Sequence, residues 1–145
     1  MKRNQPVRCK RLWISCSYAN VAVTKGTNYS SYPLFQTCKA LAEYRQEHFA
    51  EAMKWAGSAA KDSFPFSKAE AFAILAMAQF KSGQTNQALA ALSDCTNAID
   101  QKLPKLSSGD LGQDWRDWII AHSLQSEAKR LIIGESSGAG FPQNL

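Results

Sequence analysis

Valine disappears early. The 145-residue chain has it at positions 7, 21 and 23 and nowhere beyond. No period-2 run of β-branched residues follows Lys25, which argues against sheet. No CxxC pair occurs either. Cys9, Cys16, Cys38 and Cys95 lie 7, 22 and 57 residues apart, and His48 and His122 are the only histidines. That spacing carries no zinc signature, so neither a metal nor any other cofactor is expected. Cys38 and Cys95 fall among apolar residues at helical spacing and are read as small core residues. No stretch approaches the roughly 18 uninterrupted apolar residues of a membrane span.

Acidic residues are missing from the start of the chain. Residues 1–25 hold Lys2, Arg3, Arg8, Lys10, Arg11 and Lys25 and no acid, a charge of +6. The other 120 residues hold 11 basic and 12 acidic groups, a net of −1. The excess therefore sits in an N-terminal arm, whereas a nucleic-acid-binding fold carries its basic face on the folded body. This distribution disfavours nucleic acid as the partner. The run LWISCSYANVAV (12–23) is broken by Ser15, Ser17 and Asn20. No small-residue cleavage pattern follows it, so a signal peptide is not read here and the expected location is cytoplasmic.

What the chain has in quantity is alanine, 16 of the 60 residues from Ala40 to Ile99. Alanine has the best helix propensity, and its small side chain lets helices approach closely. Pro33, Pro65, Pro104, Pro142 and the pair Ser82–Gly83 punctuate the pattern. Helices are predicted at about 8–24, 34–46, 49–62, 68–82, 85–102 and 114–133. The chain divides into a basic arm with a weak helix (1–32), a helical domain (33–133) and a Gly/Ser-rich tail (134–145) expected to be disordered. The segment ALAEYRQEHFAEAMKW (40–55) aligns with AMAQFKSGQTNQALAA (76–91) at an offset of 36. In that alignment Ala40 meets Ala76, Leu41 meets Met77, Tyr44 meets Phe80, Arg45 meets Lys81 and Ala52 meets Ala88. An offset near 36 is the period at which helix–turn–helix repeats stack.

These residues resemble the tetratricopeptide repeats. Phe72, Leu75 and Ala76 match the large–large–small pattern of a first helix, and Gly83 stands at the turn. Ala88, Leu92 and Cys95 stand where the second helix packs back. Asp100 replaces the usual closing proline. In the first copy Lys39 replaces a large apolar residue and Glu47 the turn glycine, while Phe49 keeps the hydrophobic turn position that Thr85 loses. The runs at 30–52, 69–84 and 109–132, above all DWRDWIIAH (114–122), are similar to the C-terminal repeat tail of large bacterial serine/threonine protein kinases. The resemblance spans about residues 21–133. The Gly-rich loop, the HRD-type catalytic loop and the DFG motif of the kinase domain are missing. What the resemblance implies is the non-catalytic tail alone, as a shortened relative or a fragment.

The fold expected is therefore all-α, a short tetratricopeptide-like array of helical hairpins with a closing C-terminal helix. In such repeats the first helices line a concave groove that holds a peptide or a partner helix. By that resemblance the lining positions are Leu41, Tyr44, Arg45, Met77, Phe80 and Lys81. An aromatic beside a cation, twice over, suits an acidic peptide with an apolar anchor. Tyr44 and Phe80 can equally be core residues.

No enzymatic chemistry is expected. Asp114 and Asp117, at i and i+3, suit the start of a helix, where acids favour the macrodipole. His122, four residues after Trp118, is read as stacked or partly buried, because no acid–nucleophile set accompanies it. Trp118 is assigned to covering the end of the stack. Trp115 suits either that role or an interface. The expected function is a non-enzymatic protein-interaction module, in the kinase-linked setting that the resemblance implies. The alternative is docking of the basic arm on nucleic acid or an anionic membrane.

Overall fold

The computed structural model describes residues 8–61, 64–110 and 112–137. Among these the chain is helical throughout, with α1 (Arg8–Lys25), α2 (Tyr32–Arg45), α3 (Phe49–Ala59), α4 (Pro65–Lys81), α5 (Thr85–Lys102) and α6 (Trp115–Ser137). A single 3₁₀ turn, Leu106–Ser108, interrupts the loop before α6. The last helix extends four residues past the expected end at 133. The rest of the expected tail, and residues 1–7 of the basic arm, lie outside the described residues.

Local chemistry accounts for the boundaries. Pro33 and Pro65 stand in the first turns of α2 and α4, where a missing N–H costs nothing and the fixed φ suits a helix. Gly26 ends α1, its N–H donating to the Ala22 carbonyl at 2.8 Å. A Cβ there would lie 2.4 Å from that carbonyl oxygen and 2.6 Å from the Phe35 ring. Glycine is thus what lets α1 close onto α2.

The offset of 36 recurs in the backbone hydrogen bonds of two turns. In the first, Glu47 N–H donates to Tyr44 O (3.0 Å) and His48 N–H to Glu43 O (3.0 Å). In the second, Gly83 N–H donates to Phe80 O (3.0 Å) and Gln84 N–H to Gln79 O (2.9 Å). Each donor and each acceptor is displaced by 36. Both central residues are left-handed, Glu47 with φ 65° and Gly83 with φ 77°. The residue that departs from the glycine pattern therefore takes the glycine conformation anyway.

The hairpins α2–α3 and α4–α5 pack so that α4 touches α2, α3, α5 and α6, while α5 also touches α6 and α1 rests on α2. The core is small-residue rich: Ala40, Ala52, Ala56, Ala69, Ala73, Ala76, Ala88, Ala121 and Ala128 are fully buried around Ile74, Met77, Cys95 and Ile132. Trp118 is 2% exposed. Its indole N–H donates to the Pro104 carbonyl at 2.5 Å, and its ring lies 3.9 Å from that of His122. The indole thereby ties the 103–114 loop to α6.

Two stability outcomes follow. Glu47→Gly should raise the urea midpoint by an amount worth about 1 kcal/mol, because it removes a Cβ from a left-handed residue. Gly83→Ala should lower it comparably, since the space there is open and only the conformation is costly. Trp118→Ala should cost about 3–5 kcal/mol, whereas Ala in place of the exposed Leu89 should stay within about 0.5 kcal/mol.

Candidate functional site

The helices α2, α4 and α6 lie side by side, with α3 packed on α2 and α4, and α5 on α4 and α6. Two cross-helix pairings set their direction. Near one end Glu70 of α4 couples electrostatically to Cys38 of α2 and to Asp117 of α6. Seven residues further along α2 and ten further along α6, Arg45 forms a two-pronged ion pair with Glu127, its Nη2 lying 2.7 Å from Oε2. Both helices therefore run the same way. They form a wall with acids at one end and a matched ion pair at the other. Helical spacing puts Cys38, Leu41 and Arg45 in one stripe on α2, and Glu70, Met77 and Lys81 in one stripe on α4.

The six groove residues expected from sequence fall into two groups. Leu41 and Phe80 are half-buried, and Arg45 and Lys81 are exposed. Met77 has no exposed surface, and Tyr44 is 9% exposed. Both belong to the core, with the Tyr44 ring 5.9 Å from that of Phe49. The stripe turns Leu41 outward, but its counterpart Met77 sits on the central helix, where the neighbouring helices cover it. Arg45 stands 5.5 Å from the Tyr44 ring centroid, while its charge is taken by Glu127. The hydrogen bond from Arg45 holds the Glu127 carboxylate below its ordinary range.

The cysteines also separate. Cys95 is fully buried in the core as expected, and desolvation pushes its thiol up to about 12. Cys38 is exposed, which corrects its reading as a core residue. Its thiol is still raised, by desolvation and then by the nearby Glu70. His122 is half-buried against Trp118. Desolvation, then Lys129, holds it below the usual imidazole range against an opposing effect of Asp100. Asp114 and Asp117 stand at the start of α6, where the Asp114 carbonyl accepts the Trp118 N–H at 3.0 Å.

The residues that the helical pattern missed are Ser67 and Glu70. Ser67 is fully buried and Glu70 is 5% exposed. Neither the Ser67 hydroxyl nor Glu70 Oε1 has a hydrogen-bond partner. Burial, with the nearby Asp117 carboxylate adding to it, raises the Glu70 carboxyl to about 8. One signal was available: Glu70 is the single charge in the run AEAFAILAMA (69–78). Among the described residues no group of three or more His, Cys, Asp or Glu could hold a metal ion. No described helix is long and apolar enough to cross a membrane.

The raised Glu70 carboxyl makes folding pH-dependent. Between the unfolded value near 4.5 and the folded value of about 8, the native state keeps a proton that the unfolded chain has lost. Stability is therefore full below that interval and falls as pH rises through it, by about 1.4 kcal/mol per unit. Glu70→Gln should remove this slope. Urea midpoints at about pH 5 and about pH 9 should differ less in the variant, and the variant should be the more stable protein at the higher pH.

Set against protein-family models, curated proteins and solved structures, the chain matches none of them.

Proposed function

We propose that the chain is a non-enzymatic interaction module of tetratricopeptide-like architecture, which binds an extended peptide or a partner helix along the α2–α4–α6 wall. The observation that carries this reading is the mixture on that wall. Half-exposed apolar Leu41 and Phe80 stand in register with exposed Arg45 and Lys81, supported from behind by a rigid alanine core. Apolar side chains left half-covered beside charges give a peptide both an anchor and an orientation. The hydrogen-bond equivalence of the two turns at an offset of 36 supports the repeat architecture. The kinase-linked setting, as tail or adaptor of a bacterial signalling system, rests on the resemblance of the 114–122 block.

Peptides selected from a random display library against the full chain test the reading. Leu41→Ala combined with Phe80→Ala should weaken the selected peptides ten-fold or more, about 1.4 kcal/mol. Replacing Lys2, Arg3, Arg8, Lys10 and Arg11 by glutamine should leave binding in place. That replacement is a better control than deleting residues 1–25, because deletion would strip α1 from α2. If neutralising the arm abolished binding while the wall variant kept it, the wall would not be the site, and docking through the arm would take its place.

A further inference from the structure

Buried polar groups without partners are costly, and charged ones more so than neutral ones. Two of them stand one turn apart on α4, Ser67 and Glu70, each more than nine-tenths buried. They share the wall with Asp117, half-buried on α6, and with Cys38, exposed on α2. Glu70 is coupled electrostatically both to Asp117 of α6 and to Cys38 of α2. The result is a buried polar pair on α4 flanked by the more accessible Asp117 and Cys38. The acceptors of this group are a hydroxyl and two carboxylates, and no cation is paired with Glu70 or Asp117 among the ion pairs of the described residues.

The ligand chemistry follows from that inventory. A metal ion is poorly served, since no set of metal-ligating side chains gathers there. An anion is repelled by the Asp117 carboxylate and would hold Glu70 in its protonated form. A lysine ammonium carries three N–H donors, and an arginine guanidinium five. Three acceptors on two helices match such a group, and its charge would offset the two acids. At the far end of the wall the Arg45 charge is already matched by Glu127, which leaves the Glu70–Asp117 end as the place where a cationic side chain finds acceptors. We propose that Ser67, Glu70 and Asp117 form a recognition notch for the lysine or arginine side chain of a peptide lying along α2–α4–α6. This rests on the groove reading given above, and it assigns that groove a basic ligand instead of the acidic one expected from Arg45 and Lys81.

A proton accompanies the binding. In the empty notch burial and Asp117 keep Glu70 largely protonated near neutral pH. A cation arriving beside it favours the charged form and expels that proton. The titratable neighbours on the flanking helices are Asp117 of α6 and Cys38 of α2. Desolvation and then Glu70 raise the Cys38 thiol, while the Glu70 carboxyl, at about 8, titrates within this range. Affinity for a cationic side chain should rise by about ten-fold from about pH 7 to about pH 9.

The probes are short acetylated and amidated peptides of leucine and alanine that differ only at one central residue, which is lysine, arginine, glutamine or glutamate. Titrated calorimetrically into the full chain at about pH 9, the lysine and arginine peptides should bind at least ten-fold tighter than the glutamine peptide. The glutamate peptide should be weakest. Glu70→Gln, an isosteric change that leaves the helix intact, should abolish the preference, and Asp117→Asn should reduce it. Near neutral pH the heat of binding should vary with the ionisation enthalpy of the buffer, as proton release requires.

Equal binding of all four peptides, absence of binding, or a lysine preference that survives Glu70→Gln would each overturn the proposal. The two readings separate cleanly. Equal binding that is lost in the Leu41→Ala, Phe80→Ala protein keeps the groove and discards the notch. A lysine preference that depends on Glu70 but not on Leu41 or Phe80 keeps the notch and discards the groove.

Discussion

The close approach of four helices to α4 is the constraint on which the rest of the structure depends. α4 touches α2, α3, α5 and α6, and a helix with so many neighbours keeps little surface for solvent. Its alanines at 69, 71, 73, 76 and 78 are all buried, and only Ile74 and Met77 among its fully buried residues are large. Small side chains shorten the interaxial distance and leave little room for adjustment. Hydrophobic stabilisation per residue is correspondingly modest, since an alanine buries little area. The chain compensates with a few bulky seals at the margins: Trp118 against the 103–114 loop, Phe72 between the two clusters, and Ile132 near the end of α6.

That constraint explains what the sequence discloses and what it withholds. Helix positions are legible because proline, glycine and alanine act locally, and the ends of α5 coincide with the expected 85–102. The repeat is legible because its signal is a spacing, and the spacing reappears bond by bond in the turns around Glu47 and Gly83. The stacking of His122 on Trp118 is legible for the same reason, as a pair four residues apart on one helix. Exposure is less so. Periodicity assigns a residue to a stripe, but it does not say whether a neighbouring helix covers that stripe. Met77 aligns with Leu41 and yet is sealed, because α4 is central and α2 is not. Cys38 errs the other way, sitting among apolar residues in sequence while its face of α2 opens onto the wall.

The departures of the first copy from the repeat pattern have a physical account. Lys39 stands where the second copy has Leu75, Glu43 where it has Gln79, and His48 where it has Gln84. Lys39 and Glu43 are both buried and paired across one helical turn. His48 Nδ1 adds a contact to the second Glu43 oxygen at 2.7 Å. Desolvation alone would raise the Glu43 carboxyl. The hydrogen bonds from Lys39 and His48 outweigh it and hold the group below its ordinary range. The lysine stem fills the apolar position while its charge is matched inside the fold. Three replacements that look like decay in a position-by-position comparison thus form one connected group, which also fastens the start of α3 to α2.

The contrast between that group and the Ser67–Glu70 pair is informative about role. Both place a glutamate in a helix-packed interior at the same high cost of removing charge from water. Around Glu43 the cost is met within the chain by a cation and an imidazole, so losing either partner would strand a buried charge. Around Glu70 nothing meets it. The carboxyl stays protonated, its Oε1 unpartnered beside an unpartnered hydroxyl, and Asp117 makes the electrostatics worse. If Glu70 served packing alone, glutamine would fill the same volume without the pH-dependent penalty, and its counterpart in the first copy, Leu34, is apolar. One buried glutamate is thus matched thoroughly and another is left unmatched, on the wall where apolar side chains also remain half-covered, and the proposed notch accounts for that difference by a partner supplied from outside the chain.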